Sequence, residues 1–189
     1  HVTIECRTAE GAGRALAWTV VVDSQPSRSP TTDYEVPVVN AVVRPGTSAG
    51  TRVSDADVDG GETLEIHGTG FGSPDLVLVD EETGAVSRAL ESIKYGPTGT
   101  EYTPVSVTHV SHTLIQIVTE PGWAVNAFFR VVVAGQSSST SPPDSTNATF
   151  DFAKPLLVSM APSAVSSTHS PEAIPQIVRL ATRNVPLRD

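Results

Sequence analysis

The chain has 189 residues, room for one full domain and parts of others, with 12 Lys and Arg against 21 Asp and Glu for a net charge of −9. That acidic balance argues against nucleic acid, whose binding is driven by neutralising phosphates with Lys and Arg, and it suits solubility and cationic partners. No apolar run approaches the roughly 20 residues that cross a bilayer, so no direct membrane insertion is expected. Fifteen prolines, 14 glycines and many Ser, Thr and Val residues suit short strands joined by turns and leave little for long helices. The chain opens His1-Val2-Thr3-Ile4 as if in mid-strand, and it is expected to be a piece of something larger.

Residues 1–45 recur further along. A shift of 111 puts Ile4 on Ile115, Thr8 on Thr119, Gly11 on Gly122, Trp18 on Phe129, Val20-Val21-Val22 on Val131-Val132-Val133 and Gln25 on Gln136. After an insertion of seven residues the shift is 118, and Asp33 falls on Asp151, Tyr34 on Phe152, Pro37 on Pro155 and Val38 on Leu156. More faintly, Ile177-Val178-Arg179-Leu180 answers Thr63-Leu64-Glu65-Ile66, with Thr182, Arg183 and Asn184 at the places of Gly68, Thr69 and Gly70. Three units follow: the last strands of one (1–36), a complete one (37–154) and the first strands of a third (155–189). Each boundary is a proline after an aromatic-containing strand, which predicts a stiff joint rather than a flexible tether.

The complete unit is organised around Gly60 to Gly72, a glycine pair feeding the alternating strand Thr63 to His67 and a glycine-rich turn carrying Phe71. Strands are predicted at 38–43, 62–67, 75–80, 104–110, 113–118, 126–134 and 148–153, with a hairpin or short helical turn around Ser87–Ile93 inside the polar segment 81–104. About seven short strands with turn signals between them predict an antiparallel β-sandwich, with Leu64, Ile66, Val77, Val79, Ile115, Ile117, Val131 and Val133 between its sheets.

Gly-Gly-x-Thr-Leu-x-Ile-x-Gly-x-Gly-Phe-Gly (Gly60 to Gly72) resembles the signature of IPT/TIG domains, the immunoglobulin-like modules of plexins and many large surface proteins. The Ile4 to Gly11 strand end, seen again at Ile115 to Gly122, is similar too, as is the Val-Val-Val-x-x-Gln strand at 20–25 and 131–136. The resemblance implies an all-β fold of tandem immunoglobulin-like β-sandwiches, one complete and two partial. Many such domains carry a disulfide reaching the strand that holds Cys6. The equivalent position in the complete unit is Ile117, so Cys6 either pairs with a partner upstream or is a buried free thiol.

Asp55-Ala56-Asp57-Val58-Asp59-Gly60 has the alternating carboxylates of a calcium loop. Against this, position twelve of that pattern is Ile66 where a bidentate glutamate is needed, so a solvated acidic loop is the plainer reading. Asn147-Ala148-Thr149 is an N-glycosylation sequon in a Ser/Pro-rich loop, and Ser141-Pro142-Pro143 beside it suits O-linked sugars. His67, His109 and His112 read as strand-edge residues rather than metal ligands. Of Trp18, Trp123, Tyr95 and Tyr102, Trp18 is expected in the core, while Trp123 is the better candidate for an exposed binding aromatic. There is no G-x-S-x-G elbow, H-E-x-x-H or phosphate-cradling loop opening a helix, so no enzyme activity and no cofactor beyond calcium is expected.

These features lead to a non-enzymatic structural or adhesive module of a secreted or cell-surface glycoprotein: a stalk, filament or ectodomain spacer. Its partners would be neighbouring repeats, other proteins or like chains, and glycans. The alternative is a carbohydrate-binding or accessory domain of a polysaccharide-active enzyme, which exposed coplanar aromatics would favour.

Overall fold

The structure is a computed structural model that describes residues 3–48, 50–80, 82–139, 145–161 and 179–185. Four two-residue strands come first: β1 (Leu16–Ala17), β2 (Val21–Val22), β3 (Gln25–Pro26) and β4 (Thr31–Thr32). The middle of the chain forms β5 (Val38–Val43), β6 (Thr63–Thr69), β7 (Val77–Val79), β8 (Val86–Arg88), β9 (Leu90–Gly96), β10 (Ser106–Ser111), β11 (Leu114–Val118), β12 (Ala127–Val133), β13 (Gln136–Ser137) and β14 (Thr149–Phe150). A hairpin of β15 (Leu156–Ala161) and β16 (Arg179–Arg183) follows. Among the described residues the fold is all-β, broken only by a 3₁₀ turn at Thr146–Ala148.

Two sheets face one core. The first runs β10-β11-β6-β5, all antiparallel. In the second, β12 pairs with β9 on one side and with β13 and β14 on the other. Alternation along β6 and β11 sends Leu64, Ile66, Ile115 and Ile117 inward, where they meet Tyr95, Phe129, Val131, Val133 and Phe150 in one apolar cluster. This arrangement is compatible with a β-sandwich.

The outer strand β7 departs from the expected phase. Val77 and Val79 are 50% and 60% exposed, whereas Leu76 and Leu78 pack on the core. Both faces of 75–80 are apolar, so period two cannot choose between them, and the longer leucines reach the cluster from this outer strand. The segment around Ser87–Ile93 forms no helical turn. It is strand on both sides of buried Ala89, whose carbonyl accepts from Ala134 N at 2.8 Å as the chain passes from the β7–β8 ladder into β9.

The repeat recurs as geometry. β2–β3 pairs Val21 with Pro26 and Val22 with Gln25, and 111 residues on β12–β13 pairs Val132 with Ser137 and Val133 with Gln136. Both turns hold two residues at positive φ: Asp23 and Ser24 at 47° and 63°, Ala134 and Gly135 at 48° and 73°. That is the pattern of a two-residue turn whose twist suits the flanking strands. Ser27 N donates to Val20 O and Ser138 N to Val131 O, each at 2.8 Å. Ala15 and Asn126, at φ 56° and 54°, each donate their N–H to a carboxylate, Asp33 or Asp151, at 2.6 Å. Tyr34 N reaches Gly13 O at 2.9 Å, as Phe152 N reaches Ala124 O at 3.0 Å.

The last hairpin repeats the first strands of the complete unit in the same way. β5–β6 pairs Val38 with Thr69 and Val42 with Ile66, with an irregularity between Val39 and Ala41; β15–β16 pairs Leu156 with Arg183 and Met160 with Leu180, with the irregularity between Leu157 and Ser159. Gly70 closes the first copy at φ 75°, where a β-carbon would stand 2.9 Å from Val36 O. Asn184 takes that place at φ 57°, in the left-handed region that Asn tolerates, and its amide donates to Lys154 O at 3.0 Å. Val36 and Lys154 are themselves equivalent at the shift of 118. The joints are thus tied by contacts that change chemistry but keep position.

Candidate functional site

The acidic loop is built on the same period as a strand. Ala56 and Val58 are buried, and Ala56 bridges Phe152, so the intervening Asp55, Asp57 and Asp59 face solvent. The D-x-D-x-D spacing is therefore accounted for by burial of the residues between. Arg44 donates to Asp55 Oδ1 at 3.0 Å and also bonds Glu62, whose other oxygen accepts from Asp57 N at 2.8 Å. The Glu62 hydrogen bond, ahead of that from Asp55, raises the Arg44 pKa above its ordinary value. Among the described residues, no three His, Cys, Asp or Glu side chains are grouped to hold a metal ion. His67 lies beside Glu65 at 3.2 Å, and His109 Nε2 meets Ser111 O at 3.1 Å.

Asn147 lies half-buried in the 3₁₀ turn, and its sequon partner Thr149 is 4% exposed. The Thr149 hydroxyl donates to Thr146 O at 2.9 Å and accepts from Arg52 Nε at 3.2 Å. Ser141-Pro142-Pro143 lies outside the described residues. Cys6 is exposed, not packed as a buried thiol.

The aromatics separate by unit. Tyr95 is buried among Tyr102, Phe129 and Phe150 at centroid distances of 5.3, 5.1 and 5.8 Å, so it lines no exposed face. Its hydroxyl accepts from Glu120 N at 2.9 Å, and burial pushes its pKa up to about 12. Trp123 is 56% exposed, as expected. Trp18 is not in a core: it is 38% exposed, although its equivalent Phe129 is 2% exposed. With Arg7, Ala12, Leu16 and Tyr34 it lines an open groove of about 700 Å³ that reaches Gly70 and His112 of the complete unit. Leu16, Ala17, Trp18 and Tyr34 occupy the places of Ala127, Phe128, Phe129 and Phe152, all buried. Among the described residues β1 pairs with β4 alone, whereas β12 also has β9 alongside.

No family model, curated protein or solved structure matches this chain. The site therefore rests on its own geometry.

Sequence reasoning missed two arginines. Arg52 grips Asp151 through two nitrogens at 2.9 and 2.8 Å and reaches Asn126 Oδ1 at 2.7 Å, pinning the last strand of the unit. Nothing local signals a pair 99 residues apart. Arg44 had a signal, as a base just upstream of an acidic run that lacks its twelfth-position ligand.

Proposed function

We propose that this chain is a non-enzymatic stretch of a tandem array of immunoglobulin-like, IPT/TIG-like units, working as a stiff spacer or adhesive element of a secreted or cell-surface glycoprotein. One observation supports this reading: the turn conformation and hydrogen bonds of β2–β3 recur in β12–β13, and the strand register of β5–β6 recurs in β15–β16, either side of Val36-Pro37 and Lys154-Pro155. Such repetition is how solenoids and domain arrays extend a structure by stacking identical burial solutions. The joints favour stiffness. Pro37 is buried, Gln136 Nε2 donates across the first joint to Tyr34 O at 3.1 Å, and Asn184 spans the second. In this reading the acidic loop faces solvent with Arg44 as its counter-ion, and Trp123 is presented to a neighbour.

The glycoprotein part is tested at Asn147. In the folded unit Thr149 is engaged, so a sugar would be attached while 145–150 is still extended. Expression through a secretory pathway should give protein whose intact mass falls on enzymatic deglycosylation, with the loss abolished in Asn147→Gln. An unmodified Asn147 in secreted protein would contradict this part of the proposal.

A further inference from the structure

We infer that the edge Leu16–Val22 is a strand-addition site, and that its occupant is an antiparallel strand of the kind this chain carries at Leu90–Gly96. The inference deepens the tandem-unit reading and rests on it.

The complete unit shows what covers the equivalent edge. There β12 takes β9 alongside, pairing Phe128 with Gly96, Phe129 with Tyr95, Arg130 with Lys94, Val131 with Ile93 and Val132 with Ser92. Subtracting 111 assigns the partners of the open edge: glycine opposite Ala17, tyrosine opposite Trp18, lysine opposite Thr19, isoleucine opposite Val20 and serine opposite Val21. The backbone is already divided between two sides. Trp18 N donates to Pro30 O, and Val20 bonds Ser27 through both its N–H and its carbonyl. In an antiparallel ladder alternate residues point opposite ways, so Ala17, Thr19 and Val21 turn their N–H and C=O groups toward the open side. Such an edge is a template for a further strand.

The side chains agree. Leu16, Trp18, Val20, Val21 and Val22 are between 38% and 68% exposed. Around β12, the Tyr95 ring lies tilted against Phe129 at a centroid distance of 5.1 Å, and its hydroxyl meets the Glu120 backbone. The tyrosine of an added strand would fall over Trp18 and reach the backbone near Ala9, the place equivalent to Glu120. At present Tyr34 supplies a hydroxyl there, donating to Ala9 O at 2.7 Å.

The test is a titration of the full chain with a synthetic peptide of residues 86–103, followed by amide hydrogen exchange. Saturating peptide should slow exchange at Ala17, Thr19 and Val21 by about tenfold or more, the protection expected of newly bonded strand amides. A peptide carrying Ile93→Ser and Tyr95→Ser should lose the effect, and so should a Thr19→Pro chain, which lacks the central N–H on the open side. No slowing at the three amides, or equal slowing by a scrambled peptide, would overturn the inference. Protection of these amides in the chain alone, rising with its concentration, would overturn it in favour of a second copy. Ser27 and Tyr34 report separately in the same spectra. If their amides are protected and the peptide still does nothing, only the strand-addition site fails; if they are unprotected, the repeat geometry beneath both readings fails.

Discussion

His109 shows how a single side chain can set a pH dependence. Burial first, then the nearby Arg88 and His112, hold its pKa below the ordinary value, against backbone hydrogen bonds with Ser111 and Gly72 that favour the charged form. The unfolded chain therefore binds a proton at higher pH than the folded chain does. His109 leaves stability intact above its ordinary pKa near 6.5 and removes some as pH falls through the depressed value. Urea midpoints measured from pH 8 to pH 5 should fall toward acid, and His109→Gln should flatten that fall relative to the parent chain. An unchanged slope in the variant would show that the ring is not desolvated. Other residues were readable only in company. The acidic triplet is legible as carboxylates at alternate positions, but the burial of Ala56 and Val58 among them is revealed only by the packing.

At the scale of strands, legibility followed the clarity of alternation. Thr63 to His67 carries apolar residues on one face only, and its position and buried residues follow from the pattern; Leu114 to Val118 has Ile115 and Ile117 buried on one face and Gln116 between half-buried Leu114 and Val118 on the other. The 75–80 strand is apolar on both faces, so its phase is fixed by tertiary contact, not by period. β9 was hidden for the opposite reason. Leu90, Ile93 and Tyr95 lie among Glu, Ser and Lys residues, in a segment expected to hold a hairpin or a short helical turn, and only β12 beside them makes it a strand. Its absence beside β1 and β2 carries an energetic consequence. Phe129→Ala should cost about 3–5 kcal/mol, the usual range for emptying a buried aromatic site. Trp18→Ala, at the equivalent but open position, should cost well under half of that in the main unfolding transition followed in urea. Comparable losses would mean that the Trp18 groove is already a packed core.

Across the described residues, the pairing and turn of β2–β3 recur in β12–β13, and the register of β5–β6 recurs in β15–β16. The order of the repeat was legible in the sequence because turn residues, glycines and prolines keep their spacing while apolar identities drift. What was not legible is how the first and last described hairpins stand: they keep backbone pairing but leave Leu16, Trp18, Leu156, Leu157 and Met160 exposed. Backbone ladders persist with little burial, yet stability comes mainly from burial, so these hairpins should be the first to open. Residue-resolved amide exchange of the chain alone puts this most directly. The account predicts that Ala15, Ser27 and Tyr34 exchange more slowly than an unstructured chain, reproducing in weaker form the protection of Asn126, Ser138 and Phe152. Random-coil exchange at the first three beside strong protection at the second three would contradict it.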